Sequence, residues 1–409
     1  MPPFDFPASP IPGQSYTPAG GKAYVWDGVS WRISGAGLTT SVIVSDGPPG
    51  GVPAGTLWWE SDTGNTFLLY DDGDSQQWVQ VNASAVPANV VTKTAETYNR
   101  VVNGAMQHSQ ELGDSGSSST GAYIADQWAS NLAGPVGAGA ARLSNVVSKY
   151  GSTTRIYFNV PTAKPSLAAG DIMAFIQHIE GIRLADLQWG TAQAKQIVVR
   201  FTVRTAVAGI FCLSVRNGAA NRTWLGSFNV SAAGVDTEIT MVVPGDTTGT
   251  WAKDNTLGMY FGIAYACGTT LGSGVAGWQA GNQVAIAGMT NGASVIGQSH
   301  LADVSLYLDP DATGKAPPWQ MPNYADELRA CQRYWEVTGM TVVTQASNQP
   351  YFNTTWYMAE KRVSPAFATF GAVNGATLGV VAAAATKGFR QIGQATSAGD
   401  ITVTINARL

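Results

Sequence analysis

With 409 residues the chain is long enough for two to four domains, and its charged fraction of 12% is about half the roughly 25% of an ordinary soluble protein. Glycine (47 residues), together with Ala, Thr, Ser and Asn, takes the place of charge and gives a neutral surface suited to hydrogen bonding. A net charge of −4 with no basic stripe argues against nucleic acid as a partner, and the most apolar run, residues 378–385, is far short of the roughly 20 residues of a membrane helix.

The chain opens with an arm rich in Pro and Gly (Pro2, Pro3, Pro7, Pro10, Pro12, Gly13, Pro18, Gly20, Gly21). Met1-Pro2-Pro3-Phe4-Asp5 has neither the positive start nor the apolar core of a signal peptide, so synthesis in a cytoplasm is expected. Tyr24-Val25-Trp26-Asp27-Gly28-Val29-Ser30-Trp31 reads as a strand, an Asp-Gly turn and a returning strand. The same pattern recurs, lengthened, from Phe67-Leu68-Leu69-Tyr70 through Asp72-Gly73 to Trp78, a weak internal repeat. Within residues 55–81, Asp62-Thr63-Gly64-Asn65 supplies a further turn. Trp58, Trp59 and Trp78 carry more apolar area than a lone hairpin hides, and packing between subunits or between repeats is the expected use.

Residues 87–96 read as a connector, and residues 99–110 as a Gln-rich strand preceding Ala125-Asp126-Gln127-Trp128. Period-two runs follow. Ile197, Val199, Phe201 and Val203 share one face, opposite Val198, Arg200, Thr202 and Arg204. Further strands are expected at residues 210–215, 238–243, 259–265 and 300–308, with Gly, Asn, Asp and Pro between them. Such spacing without amphipathic helices argues for a β-sandwich of jelly-roll type. One helix is expected after Pro322, capped by Asn323, with Asp326 and Glu327 in its first turn and Leu328, Cys331 and Trp335 on one face. Strands then resume, and the last, Ile401-Thr402-Val403-Thr404-Ile405, alternates like an edge or intersubunit strand.

Site chemistry is sparse. Cys212, Cys267 and Cys331 are odd in number and far apart, which suits reduced buried thiols. His108, His178 and His300 are scattered and read as hydrogen-bonded strand residues. Asp246, Asp254, Asp303 and Asp309 could in principle supply a glycosidase pair, but each lies in or beside a turn where Asp stabilises the turn itself. No nucleophile elbow or phosphate loop is present, so no enzyme activity is expected. Asp71, Asp72 and Asp74 crowd oxygen ligands into a turn and are weak candidates for a structural calcium, with Asp309-Pro310-Asp311 a second cluster; otherwise no cofactor or metal is expected. Trp224, Trp251 and Trp278, with Arg222 and Asn221, are the candidates for a sugar-stacking platform, the competing reading being that Trp251 plugs one end of the sandwich. Trp128 and Trp189 read as core.

Several of these segments carry a family resemblance. The hairpin at residues 55–81 resembles the attachment-proximal repeats of bacteriophage fibres. Residues 99–110 with Ala125-Asp126-Gln127-Trp128 resemble the opening of a phage β-sandwich module. Ala185-Asp186-Leu187-Gln188-Trp189-Gly190, preceded by Ile179-Glu180-Gly181, and Pro244-Gly245-Asp246-Thr247-Thr248-Gly249-Thr250-Trp251 are the most specific matches. Tyr324-Ala325-Asp326-Glu327-Leu328-Arg329-Ala330-Cys331-Gln332-Arg333-Tyr334-Trp335 and the closing Asn406-Ala407-Arg408-Leu409 are similar too; Lys315-Ala316-Pro317-Pro318-Trp319-Gln320-Met321-Pro322 departs from the family's usual Pro-Phe-Glu-like linker.

The resemblance implies a tail-fibre or other virion appendage protein, homotrimeric, with a carbohydrate-binding-like jelly roll that adheres to host-surface polysaccharide. The expected fold is all-β: residues 1–92 a virion-attachment arm with hairpin repeats, 93–318 a jelly-roll sandwich, 319–409 a β domain led by one short helix. Partners would be other virion proteins (tail, baseplate or capsid) and a host glycan, with neither nucleic acid nor membrane insertion. A head-fibre, decoration or baseplate protein without receptor binding is the alternative, and a capsular depolymerase the second.

Overall fold

The computed structural model describes residues 6–19, 21–34, 42–81, 95–135, 137–342, 349–372, 380–395 and 399–409. The fold is all-β, in two compact units divided between Thr92 and Lys93. No helix among the described residues is long and apolar enough to cross a membrane.

The first unit holds β1 (Ser15–Tyr16), β2 (Tyr24–Trp26) and β3 (Trp31–Ile33) as one antiparallel sheet. A second sheet follows the order β4 (Ile43–Ser45), β5 (Leu57–Glu60), β6 (Thr66–Asp71), β7 (Gln76–Gln80), with β4 parallel to β5. The internal repeat is real down to its hydrogen bonds. Asp27 Oδ1 accepts the Val29 and Ser30 amides at 2.8 and 2.7 Å, and Asp72 Oδ1 accepts the Asp74 and Ser75 amides at 3.0 and 2.7 Å. Each turn glycine takes positive φ, 101° at Gly28 and 94° at Gly73, where a side chain would be strained.

Trp58 is buried within its own sheet, stacked on Phe67 (4.9 Å) and edge-on to Trp78 (5.5 Å), with its Nε1 donating to the Ser45 carbonyl at 3.0 Å. A neighbouring subunit is therefore not needed to cover Trp58; only Trp59, 44% exposed, stays open for one.

The second unit contains β8 (Tyr123–Ala125), β9 (Trp128–Ala133), β10 (Gly139–Ser144), β11 (Thr154–Val160), β12 (Ile172–Glu180), β13 (Gln196–Arg204), β14 (Gly209–Asn217), β15 (Arg222–Val230), β16 (Thr237–Val243), β17 (Leu257–Cys267), β18 (Gly277–Ala280) and β19 (Gly297–Asp309). A five-stranded sheet runs β10-β11-β19-β13-β16 and a seven-stranded one β18-β15-β14-β17-β12-β9-β8, all antiparallel. Of the eight central strands the first pairs with the last (β11 with β19), then β12 with β17, β13 with β16 and β14 with β15. That nested pairing is the wrap of a jelly roll. The alternation seen in the sequence decides the faces: Ile197, Val199, Phe201 and Val203 enter the inter-sheet core with Phe158, Phe175, Leu213, Val215, Phe261 and Ile263. Val198 points away, to a small cluster with Ala95 and Tyr307.

Residues 99–110 differ from expectation. They form no strand but a buried knot in which Asn103 and Met106 both adopt φ of 57°. Asn103 Nδ2 donates to the His108 and Asp126 carbonyls at 2.8 and 3.0 Å, and Trp128 Nε1 donates to the Asn103 carbonyl at 3.1 Å. Side-chain amides here take over the hydrogen bonding that a ladder would supply.

Helix α1 (Tyr324–Gln332) begins as its cap predicts, with Asn323 Oδ1 accepting the Ala325 and Asp326 amides. It stops at Gln332, and Trp335 opens β20 (Trp335–Val342) instead of extending the helix, because it pairs with Asn406. The remaining strands are β21 (Gln349–Trp356), β22 (Ala366–Ala372), β23 (Val380–Ala384), β24 (Gly388–Ala395) and β25 (Gly399–Asn406), in sheets β20-β25-β22 and β21-β24-β23. The last strand is central rather than an edge, and Val403 and Ile405 are fully buried.

Candidate functional site

Of the tryptophans proposed as a sugar platform only Trp251 lies on a loop, between β16 and β17, and the three do not form an open face. Trp224 lies in β15 and Trp278 in β18, and the two are cross-strand partners. Trp224 and Trp251 are buried, 7% and 8% exposed. Trp251 and Trp278 meet Trp189 edge to face, with ring centroids 4.7, 5.4 and 5.7 Å apart. All three indoles are fixed by their N–H groups: Trp189 to the Lys195 carbonyl at 2.7 Å, Trp278 to the Pro244 carbonyl at 3.0 Å and Trp251 to Asp246 at 3.0 Å. The most distinctive motifs of the sequence thus form a plug at one end of the sandwich, as the competing reading had it for Trp251.

Arg222 and Asn221 serve this plug. Arg222 reaches Asp246 through Nη2 at 2.9 Å and lies over the Trp278 ring at 5.5 Å, while Asn221 Oδ1 accepts from Asn217 Nδ2 at 2.7 Å. Asp246 itself also accepts from the Thr248 amide and hydroxyl, and these partners together hold its carboxyl below the usual range against the opposing effect of burial. Asp246→Ala is expected to lower unfolding free energy by about 2 kcal/mol, because it strands a buried indole N–H and a guanidinium. Urea unfolding followed by tryptophan fluorescence measures it.

The other carboxylates weighed for catalysis are similarly engaged. Asp303 is fully buried at a bulge in β19, with φ of 51° that lets both Leu301 and Val304 face the core, and it accepts from the Ser148 hydroxyl at 2.8 Å. Asp309 caps the turn at Thr313 and Gly314, and Asp254 caps Thr256. Asp71 and Asp72 accept the amides of their own turn, at Gly73, Asp74 and Ser75. Among the described residues no three His, Cys, Asp or Glu side chains converge, around Asp74 or elsewhere. The three cysteines are free thiols, two of them buried.

An open polar hollow lies elsewhere, on the outer face of the seven-stranded sheet. Three adjacent strands place Arg216 (β14), Tyr260 (β17) and His178 (β12) directly opposite one another in one cross-strand row. The next row outward-facing on the same strands is Ser214, Gly262 and Ile176, continued by Ala129 on β9. The large row makes a wall and the small row a floor. Gly262 keeps this row close-packed: a Cβ there would stand 2.7 Å from Ser214 Oγ. Further along the strands, Ile172, Ala174, Cys212 and Ala264 are roofed by Val284 and Ala285, so only the Arg216 end of this face stays open.

The resulting cleft, about 310 Å³, is rimmed by Thr120, Asn131 and Asn282 and has no carboxylate in its lining. Arg216 is 5% exposed, stacks over the Tyr260 ring at 4.8 Å and donates through Nη1 to Asn282. His178 meets Tyr260 edge to face at 5.1 Å, and its Nδ1 lies 3.2 Å from the Tyr123 hydroxyl. Burial, then the neighbouring Arg216 charge, bring the His178 imidazole down to about 4, so it is neutral near pH 7. The cleft therefore presents amides, a hydroxyl, a neutral imidazole, an aromatic ring and one guanidinium, a set made for hydroxyl-rich ligands.

Sequence reading passed over this cleft. His178 read as a solitary strand residue, Arg216 lay just past a run quoted for its apolar side, and Tyr260 sat inside another. The signal available was alternation: each of the three is the outward neighbour of a core residue (Ile179, Val215, Phe261).

An exposed aromatic also occurs in the C-terminal sheets. Trp356, 71% exposed, borders a hollow of about 370 Å³ lined with Thr354, Lys387, Phe389 and Arg390.

No family model matches the chain, and no curated protein matches it. Among solved structures it is similar to the enzymatically active domain of bacteriophage CBA120 tailspike protein 4 (12% identity, TM-score 0.30), over 52% of this chain and 21% of that one. It is similar to the CBM22-1-GH10 modules of Clostridium thermocellum xylanase 10B complexed with xylohexaose (13%, TM-score 0.29), over 56% of this chain and 31% of that one. The chain thus spans less than a third of the length of either. It is also similar to TmCBM61 in complex with β-1,4-galactotriose (11%, TM-score 0.27), over 52% of this chain and 99% of that one. The jelly-roll order is a property of the strand pairing and is independent of these likenesses.

Proposed function

We propose that this chain is a non-enzymatic virion appendage protein, a fibre or spike, whose jelly roll holds host-surface saccharide in the Arg216–Tyr260–His178 cleft. The observation that carries saccharide binding is the cleft itself: a roofless stretch of sheet floored by Ile176 and Ala129, walled by an aromatic ring and rimmed by two amides and a hydroxyl. The appendage reading is supported by the fibre-like N-terminal hairpins, whose Asp-Gly-x-Ser turns repeat with the same hydrogen bonds, and by Trp59, left exposed on the sheet. Assembly as a homotrimer fits that reading and multiplies weak single-site affinity; sedimentation of the full chain tests it.

Tyr260→Ala in the full chain is expected to weaken binding to host cells or to a glycan array at least tenfold, since both the ring and the support of Arg216 go. Wild-type binding by Tyr260→Ala combined with loss in Trp356→Ala would move the adhesion site to the C-terminal sheets. If neither change matters and no host glycan is bound, the head-fibre, decoration or baseplate alternative takes over. Release of reducing ends from host capsule would overturn the non-enzymatic part.

A further inference from the structure

Arg216 stands apart from the other well-buried arginines of this unit in having no carboxylate acting on it. Arg100 pairs with Asp186 at 2.7 Å, Arg155 with Asp236 at 3.0 Å, and Arg408 with Glu111. Arg200 makes no ion pair among the described residues and leaves Nε and Nη2 buried without hydrogen-bond partners, but it lies over the Tyr150 ring, whose hydroxyl donates to Glu238, so a carboxylate acts on it. Arg216 makes no ion pair among the described residues, and its Nη1 meets a neutral amide, Asn282; its Nε is buried without a hydrogen-bond partner, as are those of Arg100, Arg155, Arg200 and Arg408. Its ionisable neighbours are Tyr260 and Cys267, neither of them a carboxylate, and its burial works against the charge. A desolvated cation without a counter-charge is unfavourable to the fold. The same group sits in the wall of an open cleft whose other polar groups are uncharged. What the protein withholds, a ligand can bring.

We propose, resting on the saccharide reading above, that the ligand of this cleft is an acidic saccharide whose carboxylate is neutralised by Arg216. The guanidinium confers the acid preference through a charge-assisted hydrogen bond. Asn131, Asn282 and Thr120 meet sugar hydroxyls, and the neutral His178, held by Tyr123 and the Leu409 backbone, adds no competing charge. Arg216 is thus a specificity residue, and Tyr260 and the amides serve the sugar ring.

The test uses the full chain and a panel of uronate- and sialate-bearing oligosaccharides, each alongside its carboxyl-reduced counterpart, with sodium sulfate as a bare anion; titration calorimetry reads the affinities. The expected result is at least tenfold tighter binding of an acid than of its reduced form, with that preference falling as salt rises. Arg216→Gln abolishes the preference, and Arg216→Lys keeps part of it. The melting temperature of Arg216→Gln is not lowered, because an unpaired buried charge has been removed. Equal binding of acid and reduced forms, both lost in Tyr260→Ala, would overturn the acid preference and leave the saccharide reading intact. Sulfate binding alone, or no binding by any member, would overturn both. A lowered melting temperature in Arg216→Gln with the acid preference retained would assign Arg216 to structure only.

Discussion

Replacing Glu180 with alanine is expected to cost about 3 kcal/mol of stability. Glu180 ends β12, is fully buried, and gathers three donors from the C-terminal region: Arg333 Nε at 3.0 Å and Nη2 at 2.7 Å, and the Tyr334 hydroxyl at 3.0 Å. Breaking one partner of such a buried pair typically costs about 3–5 kcal/mol, since the other charge stays behind uncompensated. The Arg333 side chain is 29% exposed, so water repairs part of the loss and the lower end applies. Around this joint Val102, Cys331 and Tyr334 pack together, and Arg362 donates to the Ala407 and Arg408 carbonyls at 2.7 Å. The substitution should therefore loosen the helix from the sandwich as well as lower the urea midpoint. Hydrogen exchange localised to residues 324–335 would read the first effect, and a midpoint unchanged within error would refute the assignment.

A second large effect is expected on acidification. His178 and His300 are both held down to about 4, by burial first and then by neighbouring arginines, Arg216 for one and Arg155 with Arg204 for the other. In the unfolded chain each returns to an ordinary value near 6.5. Between those values the unfolded state binds more protons, so stability is complete above about pH 6.5 and is lost as the pH falls toward 4. The two shifts together are worth roughly 4 kcal/mol, after a discount for the partial exposure of His178. The buried acids Asp126 and Asp303 and the half-buried Glu327, all raised mainly by desolvation, act in the opposite sense, since their folded forms keep a proton that the unfolded chain gives up. The discriminating measurement is therefore the pH slope of the urea midpoint in wild type against His178→Gln/His300→Gln, which should flatten it. Asp246 and Asp309, both lowered, contribute a separate loss only as the pH falls below their ordinary value near 4.

Legibility in the sequence followed the range of the interaction. Asn323 at the start of the helix, Asp27 and Asp72 in their turns, and the Ile197-Val199-Phe201-Val203 face were readable because each depends on neighbours a few residues away. Trp335 was misplaced on the helix because a strand partner at Asn406 outweighed local periodicity, and the last strand was misplaced at an edge because alternation does not say how many neighbours a strand has. Trp224, Trp251 and Trp278 illustrate the limit for function. An indole flanked by polar residues looks available in sequence, and only the meeting of Trp189, Trp251, Trp278 and Asp246 shows that these rings are consumed by packing.

By itself the sequence determined an all-β chain, its repeated Asp-Gly hairpins, its one capped helix and the inward face of its sandwich strands, all consequences of backbone preference and period-two burial. The tertiary structure alone decided where that chain can bind something. Arg216, Tyr260 and His178 become a single wall only through the register of three strands distant in sequence, and their end of the sheet stays open only because the segment carrying Val284 and Ala285 roofs the other. Pairing and coverage of this kind are set by long-range closure of the jelly roll, which no local pattern encodes.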